Sequence, residues 1–206
     1  LGGSSSINGL LYVRGQPQDF DHWRQLGNAG WSFNDVLPYF RRAENQERGA
    51  DDFHGADGPL AVSDMRVRRE ICDAVIKAAG ELGIPERDDF NRDDQEGAGY
   101  FQLTTRNGLR CSTAVGYLKP AKGRPNLDIR THAQVRNLIL EDGRCAGVAF
   151  DVKGTPRAAA CRGEVILSAG AIGSPQILML SGIGPAQHLT DIGIPVALDM
   201  PGVGGN

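Results

Sequence analysis

The residues best placed to do chemistry stand near the two ends of the chain. Gly163–Gly184 reads GEVILSAGAIGSPQILMLSGIG. Val165-Ile166-Leu167 is a short apolar run bounded by a charge and by small residues, the pattern of a buried parallel strand rather than of a helix. Ser168-Ala169-Gly170-Ala171 then permits a tight turn and close approach by another surface. Ser174 suits an N-cap, Pro175 the first helical position, and Ser181-Gly182-Ile183-Gly184 a helix stop. A strand–turn–helix of this kind sets free N–H groups and the positive end of a helix dipole beside a sheet edge, where an anion can sit. An ordinary βα unit without a ligand fits the same spacing. At the other end, Leu1-Gly2-Gly3-Ser4-Ser5-Ser6-Ile7-Asn8-Gly9 is dense in small residues and hydroxyls. Ser4 or Ser5 can cap a short helix carrying Ile7, Leu10 and Leu11. The apolar Leu10–Val13 that follows favours a packed turn over a flexible linker.

Other chemistries find little support. Cys72, Cys111, Cys145 and Cys161 lie far apart with no CxxC pair, so they read as free thiols of a reducing compartment. His22, His54, His132 and His188 have no metal-ligand spacing, and a surface or local structural role is expected for each. Net charge is −3 with acids and bases interspersed, which gives no nucleic-acid footprint; Arg66, Arg68 and Arg69 read as a solvated edge. No apolar run is long enough for a transmembrane segment, which points to a cytoplasmic setting, with peripheral attachment of a parent protein to the inner membrane as the alternative.

The positioning elements follow from periodicity and punctuation. Asp19–Leu26 places Phe20, Trp23 and Leu26 at helical spacing, and Ser32 with Asp35 opens a second helix to about Glu44 that contains an awkward Pro38. Gln46–Gly58 reads as a polar surface loop and Pro59–Val62 as a short strand. Arg69–Leu82 carries the clearest apolar stripe: Ile71, Val75, Ile76, Ala79 and Leu82. Tyr100–Thr104 alternates like a strand, Asn107-Gly108 marks a hairpin turn, and Ser112-Thr113 caps a helix halted by Pro120. Leu127–Thr131, Gln134–Leu140, Cys145–Val152 and Arg157–Cys161 read as strands, the middle two joined at Asp142-Gly143. Helices, then a β-meander, then a βα unit imply an architectural change near residue 120.

Taken together, the two ends resemble the signatures of the glucose–methanol–choline (GMC) flavoprotein oxidoreductases. The first is Leu1–Gly9 with Tyr12, Arg14-Gly15 and Asp19-Phe20-Asp21-x-Trp23; the second is Gly170-Ala171-x-x-Ser174-Pro175-x-Ile177-Leu178-x-x-Ser181-Gly182-Ile183-Gly184. Phe53-His54-Gly55, Gly58-Pro59, Gly108-x-Arg110-x-Ser112, Tyr117-Leu118 and Pro201-Gly202-Val203-Gly204 also fit, so the likeness covers essentially the whole chain and is closest to bacterial choline- and alcohol-dehydrogenase-like members. The resemblance implies non-covalent FAD in a Rossmann-type domain, and oxidation of a primary alcohol, choline-like or other, by hydride transfer to the flavin. Electrons would leave to a quinone, another acceptor or oxygen. Ser4, Asn8, Gly9 and Leu11 would line flavin and pyrophosphate, and the Val135 backbone would meet the adenine. Some relatives attach flavin through a His just before the Asn; here Ile7 stands there, which excludes that link.

Departures from the family pattern shape the remaining expectations. No strand–GxGxxG–helix unit is present, and none of the four histidines matches the family's catalytic base, which is expected beyond Asn206. The expectation is an internal piece of an FAD-dependent oxidoreductase, of mixed α/β class, inactive by itself. Residues 1–55 would form flavin-interface helices, 56–120 part of a substrate-side domain, and 121–206 the second half of the FAD-binding domain. The competing reading is a non-catalytic remnant or binding module that kept part of the fold without cofactor or base. A NAD-dependent enzyme is disfavoured by the missing fingerprint.

Overall fold

In the computed structural model, which describes residues 1–205, the helices begin where local chemistry caps them. Helix α1 (Pro17–Gln25) has Pro17 in its first turn and a reciprocal Gln16/Asp19 cap. Helix α2 (Phe33–Ala43) opens on Ser32, whose Oγ accepts from the Asp35 N–H while the Asp35 carboxylate accepts from the Ser32 N–H at 3.0 Å. That cap fixes the start, so Pro38 lies inside the helix rather than before it. The two helices bury Phe20 and Phe33, and Phe20 packs edge-on against Trp23 and Phe40 with ring centroids 5.4 and 5.6 Å apart.

The chain forms two compact units, Leu1–Leu127 and Asp128–Asn206. In the first, β1 (Glu44–Gln46) leaves α2 and pairs in parallel with β2 (Leu60–Val62), Glu44 opposite Leu60 and Gln46 opposite Val62. The approach is tight: a Cβ on Gly58 would lie 2.3 Å from the Ala43 carbonyl carbon. Tyr100–Thr104 forms no strand: Leu103 makes single antiparallel bridges to Leu11 and Ser63, and the chain bends at Thr104. A two-residue turn, Asn107-Gly108 with φ of 52° and 76°, links β3 (Thr105–Arg106) to β4 (Leu109–Arg110). Ala114–Leu118 is a π-helical turn running into the short α4 (Lys119–Ala121).

Helix α3 (Glu70–Glu81) forms where its stripe predicts, but Ile71, Val75 and Leu82 are 72, 60 and 81 % exposed. Periodicity names the face a helix would bury; no element of the first unit covers it.

The second unit is a meander in the order β5–β6–β7 (Ala133–Glu141, Arg144–Val152, Thr155–Ala160), turned at Asp142-Gly143 and Lys153-Gly154, each with both residues at positive φ. Helix α5 (Gly170–Leu180) packs on β5, burying Ile177, and Ser181 Oγ accepts the Leu138 N–H at 2.8 Å. A parallel pair, β8 (Ile183–Gly184) with β9 (Leu198–Asp199), flanks α6 (Ala186–Asp191), whose Leu189 is fully buried.

Four local expectations are corrected. The helix opened near Ser112-Thr113 is not halted by Pro120, which lies inside α4. Val165-Ile166-Leu167 pairs with no strand among the described residues, and Ile166 is 78 % exposed, because an apolar run becomes a strand only when a neighbour offers it a ladder. Leu127–Thr131 is likewise irregular. Helix α5 begins at Gly170 rather than at Pro175, with Ser174 Oγ accepting the Ala169 N–H at 3.0 Å.

Candidate functional site

The N-terminal Gly/Ser segment is a packed turn. Gly3–Ser6 forms a single 3-10 turn, with the Ile7 and Asn8 N–H groups both donating to the Ser4 carbonyl. Gly2 sits at φ 100°, where a Cβ would collide with Ser6 Oγ. Residues 104–113 fix the inner side of the loop. Ser5 Oγ accepts from the Thr113 N–H at 2.9 Å, and Thr113 Oγ1 donates to the Gly2 carbonyl at 3.1 Å. Arg110 Nη1 donates to the Ser5 carbonyl (3.0 Å) and to Asn8 Oδ1 (2.8 Å), and its Nη2 to the Asn8 carbonyl (2.8 Å). Leu10 takes a left-handed φ of 71°, uncommon for a branched residue, while its N–H donates to Asn8 Oδ1 and its carbonyl accepts from Thr104.

Ser4, Asn8, Gly9 and Leu11 all lie on the exposed side of this loop. A Cβ on Gly9 would meet nothing within 4 Å. Val135 is in the second unit, on β5. There a bulge makes Arg136 the extra residue between the pairs Val135–Phe150 and Asn137–Ala149. A cavity of about 580 Å³ opens beside it, lined by Val135, Asn137, Ala169, Gly173 and Ile177 among others. The start of α5 thus borders this cavity. Ile7 is 85 % exposed and has no nucleophilic atom.

The first unit holds a run of alternating charge that is buried from Arg14 to Asp89 and reaches the surface at Arg92. Arg14 Nη2 meets Glu44 Oε2 at 2.7 Å, and Glu44 in turn meets His54 Nδ1 at 3.0 Å. His54 Nε2 lies 2.9 Å from Asp89 Oδ2, and Arg92 Nε lies 3.2 Å from the same oxygen. The His54–Asp89 contact is off the N–H direction, an ion pair rather than a directed hydrogen bond. Burial works against a charged His54, but Asp89 and Glu44 outweigh it and push its pKa up to about 9. Burial also opposes the charged form of Asp89, yet His54, the Asn91 N–H and Arg92 hold it down at about 2. Arg14 adds a bond to the Phe53 carbonyl at 2.7 Å and lies over the Phe40 ring.

This arrangement decides which histidine is unavailable as a base. His54 is buried, protonated at neutral pH and held between two carboxylates, so it belongs to the scaffold. Its place in a nominal surface loop conceals this in the sequence: Asp51 Oδ1 accepts the Phe53 and His54 N–H groups and folds the loop inward. His22, His132 and His188 are exposed. Among the described residues no cluster of His, Cys, Asp or Glu is arranged to hold a metal, and no helix is long and apolar enough to cross a membrane.

A mixed helix-and-strand fold with an anchored Gly/Ser loop and a β-meander–helix unit matches the N-terminal FAD-binding part of one class of oxidoreductases. A family profile described as GMC oxidoreductase spans residues 1–206, and the chain belongs to that family. It is 48 % identical over its whole length to an oxygen-dependent choline dehydrogenase of Sinorhizobium fredii and 46 % identical to one of Rhizobium rhizogenes, spanning 37 % of each relative's length. Among solved structures it superposes on a pyridoxine 4-oxidase of Mesorbium loti with TM-score 0.90 at 33 % identity, covering 96 % of this chain and 39 % of the oxidase. A fungal aryl-alcohol oxidase gives TM-score 0.89 at 26 % identity, covering 98 % and 37 %.

The sequence named the loop but not its anchor. Gly108-x-Arg110-x-Ser112 and Phe53-His54-Gly55 stand out in the sequence, yet nothing in their spacing tells that Arg110 faces Asn8 or that His54 faces Glu44 and Asp89.

Proposed function

We propose that this chain is the flavin-contacting part of an FAD-dependent oxidoreductase that oxidises the CH–OH group of a small primary alcohol, choline-like in class. The observation that carries this reading is the loop Ser4–Leu11: an outer face of small and amide residues on an inner face fixed by hydrogen bonds. The donor chemistry suits a flavin. The Gly9 N–H and the Asn8 side-chain amide have no acceptor among the described residues, and bare backbone at Gly9 admits a flat ring. The cavity beside Val135 suits the adenine end, with the bulge freeing backbone polar groups at its wall. Bound FAD supplies the hydride acceptor for the carbinol carbon.

Within this reading Ser4, Asn8, Gly9 and Leu11 bind and orient the cofactor, and Val135 recognises the adenine through its backbone. Ile7 leaves the link at that position non-covalent. The proton of the alcohol goes to a group outside this set, since His54 is already protonated and locked. The relatives' names support choline or another small alcohol as substrate class. The test is anaerobic titration of the purified full-length polypeptide with choline and a series of primary alcohols. Bleaching of the oxidised-flavin bands by an alcohol is the expected result. A preparation that takes up no FAD, or whose flavin no alcohol reduces, refutes the proposal.

A further inference from the structure

The loop is held in an unusual way. Asn8 has both of its oxygens committed: Oδ1 accepts from Arg110 Nη1 (2.8 Å) and from the Leu10 N–H (3.1 Å), while the main-chain oxygen accepts from Arg110 Nη2 (2.8 Å). A guanidinium has donors only, so it admits one orientation of the Asn8 amide, with Oδ1 inward and the Nδ2 protons outward. No acceptor among the described residues takes those protons, nor that of the Gly9 N–H beside them. Arg110 has no carboxylate partner among the described residues, unlike Arg14, Arg48 and Arg92. The same clamp sustains a local conformation that costs free energy, Leu10 at φ 71°.

We propose that Arg110 is the positioning residue of this site: it sets the orientation of the Asn8 amide and so presents Asn8 Nδ2 and the Gly9 N–H as a paired donor face. The ligand atom they receive is an acceptor, a conjugated carbonyl oxygen or an unprotonated ring nitrogen of the kind an oxidised isoalloxazine offers. The inference rests on the flavin reading above for the ligand and on the structure alone for the clamp. A lysine at position 110 keeps the charge but lacks the fork that spans two oxygens of one residue and the carbonyl of another.

Two variants of the full-length polypeptide separate the possibilities. Arg110→Gln removes the clamp; Asn8→Asp keeps every acceptor that Arg110 and Leu10 use but replaces the outward donor by an acceptor. The first readout needs no flavin: amide hydrogen exchange at Leu10, whose N–H donates to Asn8 Oδ1, in protein stripped of cofactor. The second is FAD affinity with the shape of the oxidised-flavin spectrum. For Arg110→Gln, exchange rises and FAD affinity falls, about 10- to 100-fold for loss of a charge-assisted pair, with Arg110→Lys recovering only part. For Asn8→Asp, exchange stays at the parent level while FAD affinity falls by a similar factor. Unchanged exchange in Arg110→Gln overturns the clamp. Raised exchange with parent-like FAD affinity and spectrum, or an Asn8→Asp protein that binds FAD normally, overturns the donor face. A parent protein that binds no FAD but shows the exchange effect overturns the functional reading while the clamp stands.

Discussion

Replacing His54 by Gln tests the buried charge run most directly, because its effect depends on pH in a calculable way. In the folded chain His54 titrates at about 9 instead of 6.5, raised by Asp89 and Glu44 against the opposing effect of burial. A folded-state pKa above the unfolded value means that the contribution is complete below about pH 6.5 and is lost as pH climbs through 9. At about 1.4 kcal/mol per pKa unit, the protonated ring accounts for about 3 kcal/mol at neutral pH and below. The side chain is 2 % exposed, so solvent screening takes little from this figure. Urea unfolding at a series of pH values is the assay. The parent chain loses about 3 kcal/mol between pH 6.5 and 9.5, and His54→Gln, which carries no titrating ring, lacks that slope. A parent chain with flat stability across this range, or a variant with the same slope as the parent, refutes the assignment of a buried imidazolium. Asp89 gives the mirror case. Its pKa of about 2 lies below the unfolded value of 3.8, so its share is present above pH 3.8 and disappears as pH falls through 2. Because the two groups share one contact, the acid-side loss is itself reduced in His54→Gln.

Three further outcomes follow from particular contacts. Glu44→Gln leaves Arg14 and His54 facing a neutral amide in a buried site and costs about 3–5 kcal/mol, read as a drop in the urea midpoint; a shift below about 1 kcal/mol contradicts the burial. Gly55→Ala puts a Cβ 1.8 Å from the Arg41 carbonyl oxygen and destabilises by about 3 kcal/mol or more, whereas Gly163→Ala meets nothing within 4 Å and stays within about 0.5 kcal/mol, both measured by thermal unfolding. Ile71→Gln with Val75→Gln, on the exposed stripe of α3, leaves stability within about 0.5 kcal/mol per site and lowers binding of a hydrophobic dye; a loss of several kcal/mol would show that the stripe is covered.

Much of this chain is legible in local terms, and the physical reason is that caps and tight turns are short-range. Ser32 with Asp35, Pro17 in the first turn of α1, and the Asn107-Gly108 and Asp142-Gly143 turns act within a few residues and fold as their sequences indicate. The Gly/Ser loop and the Ser174-Pro175 region, too, carry the family's resemblance in their residues alone. Whether an apolar pattern is buried is a different question, because it depends on a second surface. The stripe of α3 and the run Val165–Leu167 have the composition of buried elements, yet Ile71 and Ile166 are exposed. The reverse holds for His54, whose polar surroundings in sequence suggest a surface loop, while Glu44 and Asp89, distant in the chain, enclose it. Likewise Asn8 announces an amide but not its orientation. That is fixed by Arg110 from across the unit, since a hydrogen-bond donor with no acceptor capacity dictates which end of the amide it meets. Sequence determined the caps, the tight turns and the family; tertiary contacts decided which apolar runs are buried, which groups are charged and which are pinned.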